Sequence, residues 1–340
     1  KGMKLNERIS ALVQLGNYMM SNDEKWIAVK ENAFAGNPWF IPQFIDLSVK
    51  NIATQFLSEK ELWTSAKTYA IPQENLHPKK TGIVMAGNIP LVGFHDLLCT
   101  FLTGHYAVIK PSSKDEVLVK HLVEKLQDFN TTKEPYFTLA EMLKHCDAYI
   151  ATGSNNSSRY FDYYFGKYPN IIRRNRTSVA ILTGEETSDD LEKLGDDVHQ
   201  YFGLGCRNVT KLYVPAGYDF VPLLEAFKKY AFFEFHNKFK NNYDHNLAMH
   251  ILNNQYYMTN GSTVLLVENK APFSPIAQLH YEFYTDLKDV ENEVNGNDWV
   301  QCIVGKRHTP FGEAQCPQFH TFADGIDTIK FLLGLGRGEI

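Results

Sequence analysis

The sequence predicts an α/β protein made of two doubly wound α/β domains preceded by a helical segment. Three observations carry that expectation. Beyond residue 81, short apolar runs of strand length alternate with amphipathic stretches of helix length. Residues 5–70 show helix-type spacing only. Near residue 205 a Gly-rich loop opens a second strand and helix series. Repeated β-α alternation calls for parallel strands with crossover helices on both faces. A chain of 340 residues is also long enough for about two domains.

The first stretch places Ile9, Leu12, Val13 and Leu15, and then Phe44, Leu47, Val49, Ile52 and Phe56, on helical faces, with Asn37-Pro38 as a break. Two or three helices are expected there. Pro72 and Pro78 punctuate a change of pattern, after which Thr81-Gly82-Ile83-Val84-Met85-Ala86-Gly87 reads as a buried strand. Residues 90–103 read as an apolar helix, Ala107-Val108-Ile109 as a strand and 114–129 as an amphipathic helix. The series continues with a strand at 148–151, a polar helix at 154–165, a strand at 179–182 and a helix at 188–201. Beyond the 203–208 loop come a strand at 211–214, one long helix over 220–239, an Asn-rich stretch over 237–246, and strands at 262–267 and 300–305. Residues 325–335 look helical. The expected division is 1–204 for the helices and the first α/β domain, 205–318 for the second, and 319–340 for a C-terminal helical segment.

Composition excludes several classes of function. Hydrophobic residues make up 44% and charged residues 21% of the chain, and the net charge of −5 comes without a Lys/Arg block, so no nucleic-acid partner is expected. Five cysteines, an odd number without CxxC spacing, suit neither a disulfide framework nor a zinc site. His236, His245 and His250 lack a carboxylate at metal spacing, and no metal is expected. The longest apolar runs, such as 89–102, are broken by Pro90, His95 and Asp96 and are too short for a membrane span. The N-terminus turns amphipathic without an apolar core, so no signal peptide is expected, Met3 is read as the native start, and the location expected is cytoplasmic.

In open α/β sheets ligands bind where strands end and helices begin, because helix N-termini present N–H groups and a positive dipole end. Three such junctions are unusually polar. Gly87-Asn88-Ile89-Pro90 puts a side-chain amide on a turn, as an ordinary turn Asn also does. Ile109-Lys110-Pro111-Ser112-Ser113-Lys114 ends a buried strand in a Lys able to donate to ribose or phosphate, although a strand-end Lys is commonly just solvated. Ala151-Thr152-Gly153-Ser154 pairs a Gly that permits close backbone approach with a Ser that starts a helix. The GxGxxG dinucleotide fingerprint is absent.

Among the cysteines, Cys99 and Cys302 read as core, Cys146 as a helix end, and Cys316 as either core or loop. Cys206, in Gly203-Leu204-Gly205-Cys206, sits on a Gly-flanked loop where N–H groups can approach a reacting oxygen and a thiolate can be exposed. An inert loop thiol fits the same local pattern.

Asn88, Lys110-Pro111-Ser112, Thr152-Gly153-Ser154 and the loop Cys206, taken in order and spacing, resemble the aldehyde dehydrogenase superfamily over residues 80–330. Within it the chain is most similar to the LuxC-type fatty acyl-CoA reductases, through Ala86-Gly87-Asn88-Ile89-Pro90, Gly203-Leu204-Gly205-Cys206-Arg207-Asn208-Val209 and Phe322-Ala323-Asp324-Gly325-Ile326-Asp327-Thr328. The resemblance implies an aldehyde-dehydrogenase-like fold with a cofactor domain and a catalytic domain. It makes Cys206 the nucleophile and Asn88 an oxyanion donor. Lys110, Ser112, Ser113, Thr152, Gly153 and Ser154 become cofactor-binding residues, and Glu313, in an altered loop, a candidate ligand of the nicotinamide ribose.

Two departures from the oxidative dehydrogenases have consequences. Where those enzymes carry a Glu that activates water, this chain has Asn170-Ile171-Ile172-Arg173-Arg174-Asn175-Arg176. Where a Glu follows the K-P motif to bind the ribose hydroxyls, this chain has Ser113, which removes repulsion against a 2′-phosphate and points to NADPH (NADP). Arg173, Arg174 and Arg176 read either as partners for cofactor or coenzyme A phosphates or as a solvated edge. The resemblance therefore implies NADPH-dependent reduction of a fatty acyl-CoA, or of an acyl-protein thioester delivered by an acyl-protein synthetase, to the aldehyde through an acyl-cysteine. It also implies a homo-oligomer, although the hairpin that pairs subunits in long dehydrogenases is shortened around 68–81. The alternatives are an oxidative NAD(P)-dependent aldehyde dehydrogenase, on a free or CoA-coupled aldehyde, and a catalytically silent acyl-binding scaffold of the same fold.

Overall fold

A computed structural model describes residues 2–335, so the last five residues of the expected C-terminal segment lie outside the described residues. The chain divides into two compact units, one formed by 1–175 with 318–340 and the other by 176–317.

The first unit begins with four helices: α1 (Leu5–Met19), α2 (Glu24–Gly36), α3 (Pro42–Gln55) and α4 (Glu59–Thr68). Leu5, Ile9, Leu12, Leu15 and Met19 of α1 recur every three or four residues and are all buried. The breaks are chemically marked. Asp23 accepts from the N–H groups of Lys25 and Trp26, Pro42 opens α3, and Ser58 accepts from Glu61 N–H. The four helices exceed the two or three expected because Ser21-Asn22-Asp23 is a helix start that apolar spacing alone does not reveal.

The strands β1 (Lys80–Val84), β2 (Tyr106–Lys110), β3 (Phe137–Leu139), β4 (Ala148–Thr152) and β5 (Asn170–Arg173) form a parallel sheet in the order β3-β2-β1-β4-β5. The crossovers run through α5 (Phe94–Leu102), α6 (Glu116–Asp128) and α7 (Asn155–Phe165). The order reverses between β1 and β4, which makes the carboxyl ends of these two strands the switch point of the sheet. α5 starts four residues later than expected because Leu91 adopts a positive φ of 58°. β3 and β5 were not anticipated: one spans three residues, the other lies in a polar, Arg-rich segment. Ile83, Leu98, Ile109, Leu122 and Ile150 are buried in the core of this unit. The helix α12 (Thr328–Leu335) closes the described chain.

The second unit carries β6 (Thr177–Ile181), β7 (Val209–Pro215), β8 (Met258–Thr259), β9 (Leu265–Glu268), β10 (Gln278–Tyr284) and β11 (Val300–Val304) in the order β11-β6-β7-β10-β9-β8. The sheet is parallel except for β8 on β9. Its helices are α8 (Ser188–His199), α9 (Val221–Ala226), α10 (Asn237–Leu252) and α11 (Leu287–Val294). The division falls at 175/176 and not at 204/205, because β6 bonds to β7 and β11 in the second sheet.

The single helix expected over 220–239 is broken into α9, a 3-10 run over Phe227–Phe235 and α10. Phe227, Tyr230 and Phe233 are buried at a spacing of three, which matches three residues per turn and not 3.6. The Asn-rich stretch is the first half of α10, capped by His236 Nδ1 accepting from Phe239 N–H at 3.2 Å.

Candidate active site

In the first unit the sheet register brings the three polar junctions to one edge. Val84 pairs with Lys110 on one side and with Ala151 on the other. The segments that follow, carrying Asn88, Lys110 to Ser113, and Thr152 to Ser154, therefore leave the sheet from one row, on adjacent strands about 4.8 Å apart. The first two junctions pack directly on each other. A Cβ at Gly87 would stand 2.6 Å from Ser112 Cβ and 3.2 Å from Lys114 Cβ. Asp115 locks them together: its Oδ2 accepts from Leu91 N–H at 2.7 Å and its own N–H donates to Ser112 C=O at 3.0 Å. Burial pushes this carboxyl well above the usual range, with the Leu91 bond opposing the shift.

Not every sequence-predicted residue faces solvent. Ser112 Oγ accepts from Lys114 N–H at 3.3 Å, and Ser154 caps α7 by accepting from Ser157 N–H at 3.2 Å. Gly153 allows α7 to start close to the sheet, since a Cβ there would meet Phe161 at 2.9 Å. Asn88, Lys110 and Ser113 are exposed, and Thr152 is half-buried at the end of β4. Lys110, Pro111, Ser113, Glu116, Lys120 and Glu141 line an open pocket of about 290 Å³ at the carboxyl ends of β2 and β3. Its ammonium and hydroxyl groups can donate to phosphate, and its carboxylates can accept from ribose hydroxyls. This donor set fits the nucleoside end of a dinucleotide.

The Arg-rich segment does otherwise. Arg173 reads neither as a phosphate ligand nor as an exposed edge. It is buried, with Nη1 2.5 Å from Asp96 Oδ2 and Nη2 3.1 Å from Thr328 Oγ1. Arg174 pairs with Asp162 on the surface at 3.1 Å. In the second unit, Arg176 Nη1 donates to Val300 C=O at 3.3 Å.

Cys206 lies in the second unit on the loop between α8 and β7, and it is partly exposed, as is Cys316. Cys99, Cys146 and Cys302 are buried; burial raises the Cys99 thiol well above its ordinary value and raises that of Cys146 too. Cys146 belongs to the turn before β4 and not to a helix end, its Sγ 3.7 Å from Lys144 C=O. The approach to Cys206 is strained, because Tyr201, Phe202 and Gly203 all have positive φ, at 55°, 55° and 73°. A left-handed non-Gly residue costs roughly 1–2 kcal/mol. Burial of the Phe202 ring against Phe233 and His236, both with centroids at 4.4 Å, offsets part of that cost.

Asn208 supplies more. Fully buried, it donates from Nδ2 to the carbonyls of Gln200 (2.8 Å), Asp197 (3.1 Å) and Val198 (3.3 Å), and its Oδ1 accepts from Gly205 N–H at 2.8 Å. Ser178 Oγ holds the Cys206 carbonyl at 3.0 Å, and Arg207 Nε donates to Ala314 C=O at 2.5 Å. That last bond joins the Cys206 loop to the segment bearing Glu313, which is exposed. Asp197 fixes the same segment by accepting from Gly312 N–H at 2.7 Å and Ala314 N–H at 2.9 Å. Burial, aided by Asp196 and Glu313, pushes its carboxyl up to about 7. Asp197 carries no local signal of this role, since an Asp-Asp pair in a helix reads as solvated. Among the described residues no group of His, Cys, Asp and Glu is arranged to hold a metal, and no helix is long and apolar enough to cross a membrane.

The comparisons agree with this geometry at the level of the fold. Aldehyde dehydrogenase 21 from Physcomitrella patens, solved with the reaction product succinate, superposes with a TM-score of 0.69 at 13% identity, covering 98% of this chain and 84% of that one. The chain has the aldehyde dehydrogenase fold. Succinic semialdehyde dehydrogenase from Streptococcus pyogenes, in complex with NADP+, gives 0.68 at 13% identity over 92% and 80% of the two chains. An aldehyde dehydrogenase from Mycobacterium tuberculosis, complexed with NAD+, gives 0.65 at 13% over 89% and 73%. A family model described as LuxC, acyl-CoA reductase, matches residues 73–222, less than half of the chain. No curated protein matches in sequence.

These findings correct the expected activity. Similarity over almost the whole chain is to NAD(P)+-dependent aldehyde dehydrogenases, whereas the acyl-CoA reductase likeness is partial. Reduction of an acyl thioester by NADPH gives way to the oxidative alternative.

Proposed function

We infer that the protein is an NAD(P)+-dependent aldehyde dehydrogenase acting in the oxidative direction, with Cys206 as nucleophile. The observation that carries this reading is the Cys206 loop. Side chains fix its backbone at Gly205 N–H and at the Cys206 carbonyl, and Cys206 remains a partly exposed residue, within an aldehyde dehydrogenase fold. A nucleophile held this way is preorganised for attack at a carbonyl.

In this reading the Cys206 thiolate adds to the aldehyde carbon, and the new C–S bond turns the carbonyl oxygen into an oxyanion. The resemblance assigns its stabilisation to the Asn88 amide and the Cys206 N–H; such a donor is worth roughly 3–4 kcal/mol. Bound NAD(P)+ supplies the hydride acceptor. Loss of hydride from the former aldehyde carbon restores the C=O and leaves the acyl group as a thioester on Cys206. Lys110 and Ser113 bind the cofactor, Thr152 lines the switch point, and Glu313 orients the nicotinamide ribose. Lys110 beside Ser113, with no carboxylate at position 113, favours NADP+ over NAD+ in this reading, while Lys120 pairs with Glu116 in the same pocket.

The acyl group then passes to a thiol in preference to water. The segment where the resemblance places a water-activating Glu carries Arg173, which is buried on Asp96 and cannot act as a base.

The test incubates the protein with a medium-chain aldehyde, NADP+ and coenzyme A, following the reduced nicotinamide band. Turnover should fall roughly a thousandfold in Cys206→Ser, and without an acceptor thiol the acyl group should be found on the Cys206 peptide. Full turnover in Cys206→Ser, or an adduct on Cys316 instead, would overturn the reading.

A further inference from the structure

The second unit contains a closed circuit of hydrogen bonds that the reaction above does not explain. The carboxylate of Asp197, near the end of α8, accepts from Gly312 and Ala314 N–H, the two amides that flank Glu313. The Ala314 carbonyl accepts from Arg207 Nε, next to Cys206. Asn208, one residue further on, returns to α8 by donating to the backbone carbonyl of Asp197 itself. Asp197 thus closes the circuit twice, through its side chain toward Glu313 and through its backbone toward Cys206.

The choice of residue is expensive. Asp197 is fully buried, both oxygens of its carboxylate accept from backbone N–H groups, and it has no salt-bridge partner among the described residues. A buried carboxylate is costly unless its hydrogen bonds need an acceptor at each oxygen. Here they do. The two N–H groups lie two residues apart and converge on one side chain, and a side-chain amide would offer an oxygen to only one of them.

We propose that Asp197 is a positioning residue that sets Cys206 and Glu313 as one rigid pair, by holding the 312–314 segment to which Arg207 anchors the nucleophile loop. The proposal rests on the roles given above to Cys206 and Glu313, but its geometric part can be measured without turnover. In Asp197→Asn one oxygen is replaced by an NH2 that faces an N–H. Amide exchange in 310–317 should then rise at least tenfold, and alkylation of Cys206 by iodoacetamide at least threefold. In the same variant the KM for NADP+ should rise together with a fall in kcat. A purely structural role lowers the amount of folded enzyme, and with it kcat, and leaves KM alone.

Arg207→Met supplies a second route that spares the α8 contacts. It should leave exchange at Gly312 and Ala314 slow, while Cys206 alkylation and the KM for NADP+ both rise. The proposal is overturned if exchange in 310–317 rises in Asp197→Asn without any change at Cys206, or if it does not rise at all. If wild-type protein oxidises no aldehyde, the functional reading falls, while exchange and alkylation still decide whether Asp197 couples the two loops.

Discussion

Replacing Arg173 with Met tests a placement that the sequence left open. The side chains of Arg173 and Asp96 are 6% and 7% exposed, and their 2.5 Å contact joins the end of β5 to α5. The second bond, to Thr328 Oγ1, draws in the first residue of α12. Removing the guanidinium leaves the Asp96 carboxylate buried and unpaired, and breaking a buried pair on one side costs about 3–5 kcal/mol. The Thr328 bond adds roughly 1 kcal/mol. Against a total stability of about 5–15 kcal/mol, the single variant should be severely destabilised. The double variant Asp96→Leu/Arg173→Met removes both charges and keeps most of the volume, so it should recover to within about 1 kcal/mol of wild type. Urea unfolding of the four proteins of the cycle measures the coupling. A loss under about 1 kcal/mol in Arg173→Met, or a double variant as unstable as the sum of the singles, would refute the placement. The folded double variant should also bind NADP+ as wild type does, because a buried Arg173 cannot reach a phosphate.

Three further outcomes are expected. Ser113→Glu should raise the KM for NADP+ and leave that for NAD+ nearly unchanged, since a carboxylate there repels a 2′-phosphate and accepts from ribose hydroxyls; steady-state kinetics with both cofactors measure it, and equal KM shifts would refute the assignment. Asn208→Ala strands Gly205 N–H and the α8 carbonyls, and should cost roughly 3–5 kcal/mol and lower Tm by roughly 5–15 °C; a shift under about 2 °C by calorimetry would contradict it. His105 accepts Lys79 N–H at Nδ1 (3.0 Å) and lies 3.0 Å from Leu332 C=O at Nε2, and burial lowers its pKa from 6.5 to about 4. The unfolded chain therefore takes up a proton that the folded one refuses, so its stabilisation is complete above pH 6.5 and is lost on descending to about 4, by roughly 3 kcal/mol. His105→Gln should flatten that part of the Tm against pH curve, and unchanged slopes would show that another group governs it.

Strand and helix alternation was legible because buried parallel strands such as β1 and β4 are short apolar runs with polar ends, and α6 and α8 keep clear 3.6-residue faces. What escaped was set by partners far along the chain. β5 is a strand because Asn170 to Arg173 pair with Tyr149 to Thr152, although the segment itself reads as polar. The helix over 220–239 broke because burial of Phe227, Tyr230 and Phe233 against His199 favours a tighter winding than 3.6. The unit boundary was placed at the change in sequence style, whereas sheet membership of β6 sets it. At the site, residue types at strand ends were readable, but the buried acids Asp115 and Asp197 were not. Their function lies in backbone N–H groups 24 and more than a hundred residues away.

The polar junctions divide labour between neighbouring residues. At the second, Ser112 turns inward to hold Lys114 N–H against Gly87, and Ser113 and Lys110 are left facing the pocket. At the third, Ser154 caps α7 while Thr152 remains at the strand end. On the nucleophile loop, Asn208 is consumed by backbone groups while Cys206, two residues earlier, stays partly exposed. Each motif thus holds one residue that fixes the backbone and another that is presented. Substituting the fixing residue should alter the chemistry only through displacement of its neighbour, so its effect should grow with temperature as the loop loosens. Substituting the presented residue should remove the chemistry equally at every temperature. The resemblance ranked Ser112 and Ser113 alike as cofactor ligands; the structure separates them, since Ser112 Oγ accepts from Lys114 N–H and Ser113 lines the pocket.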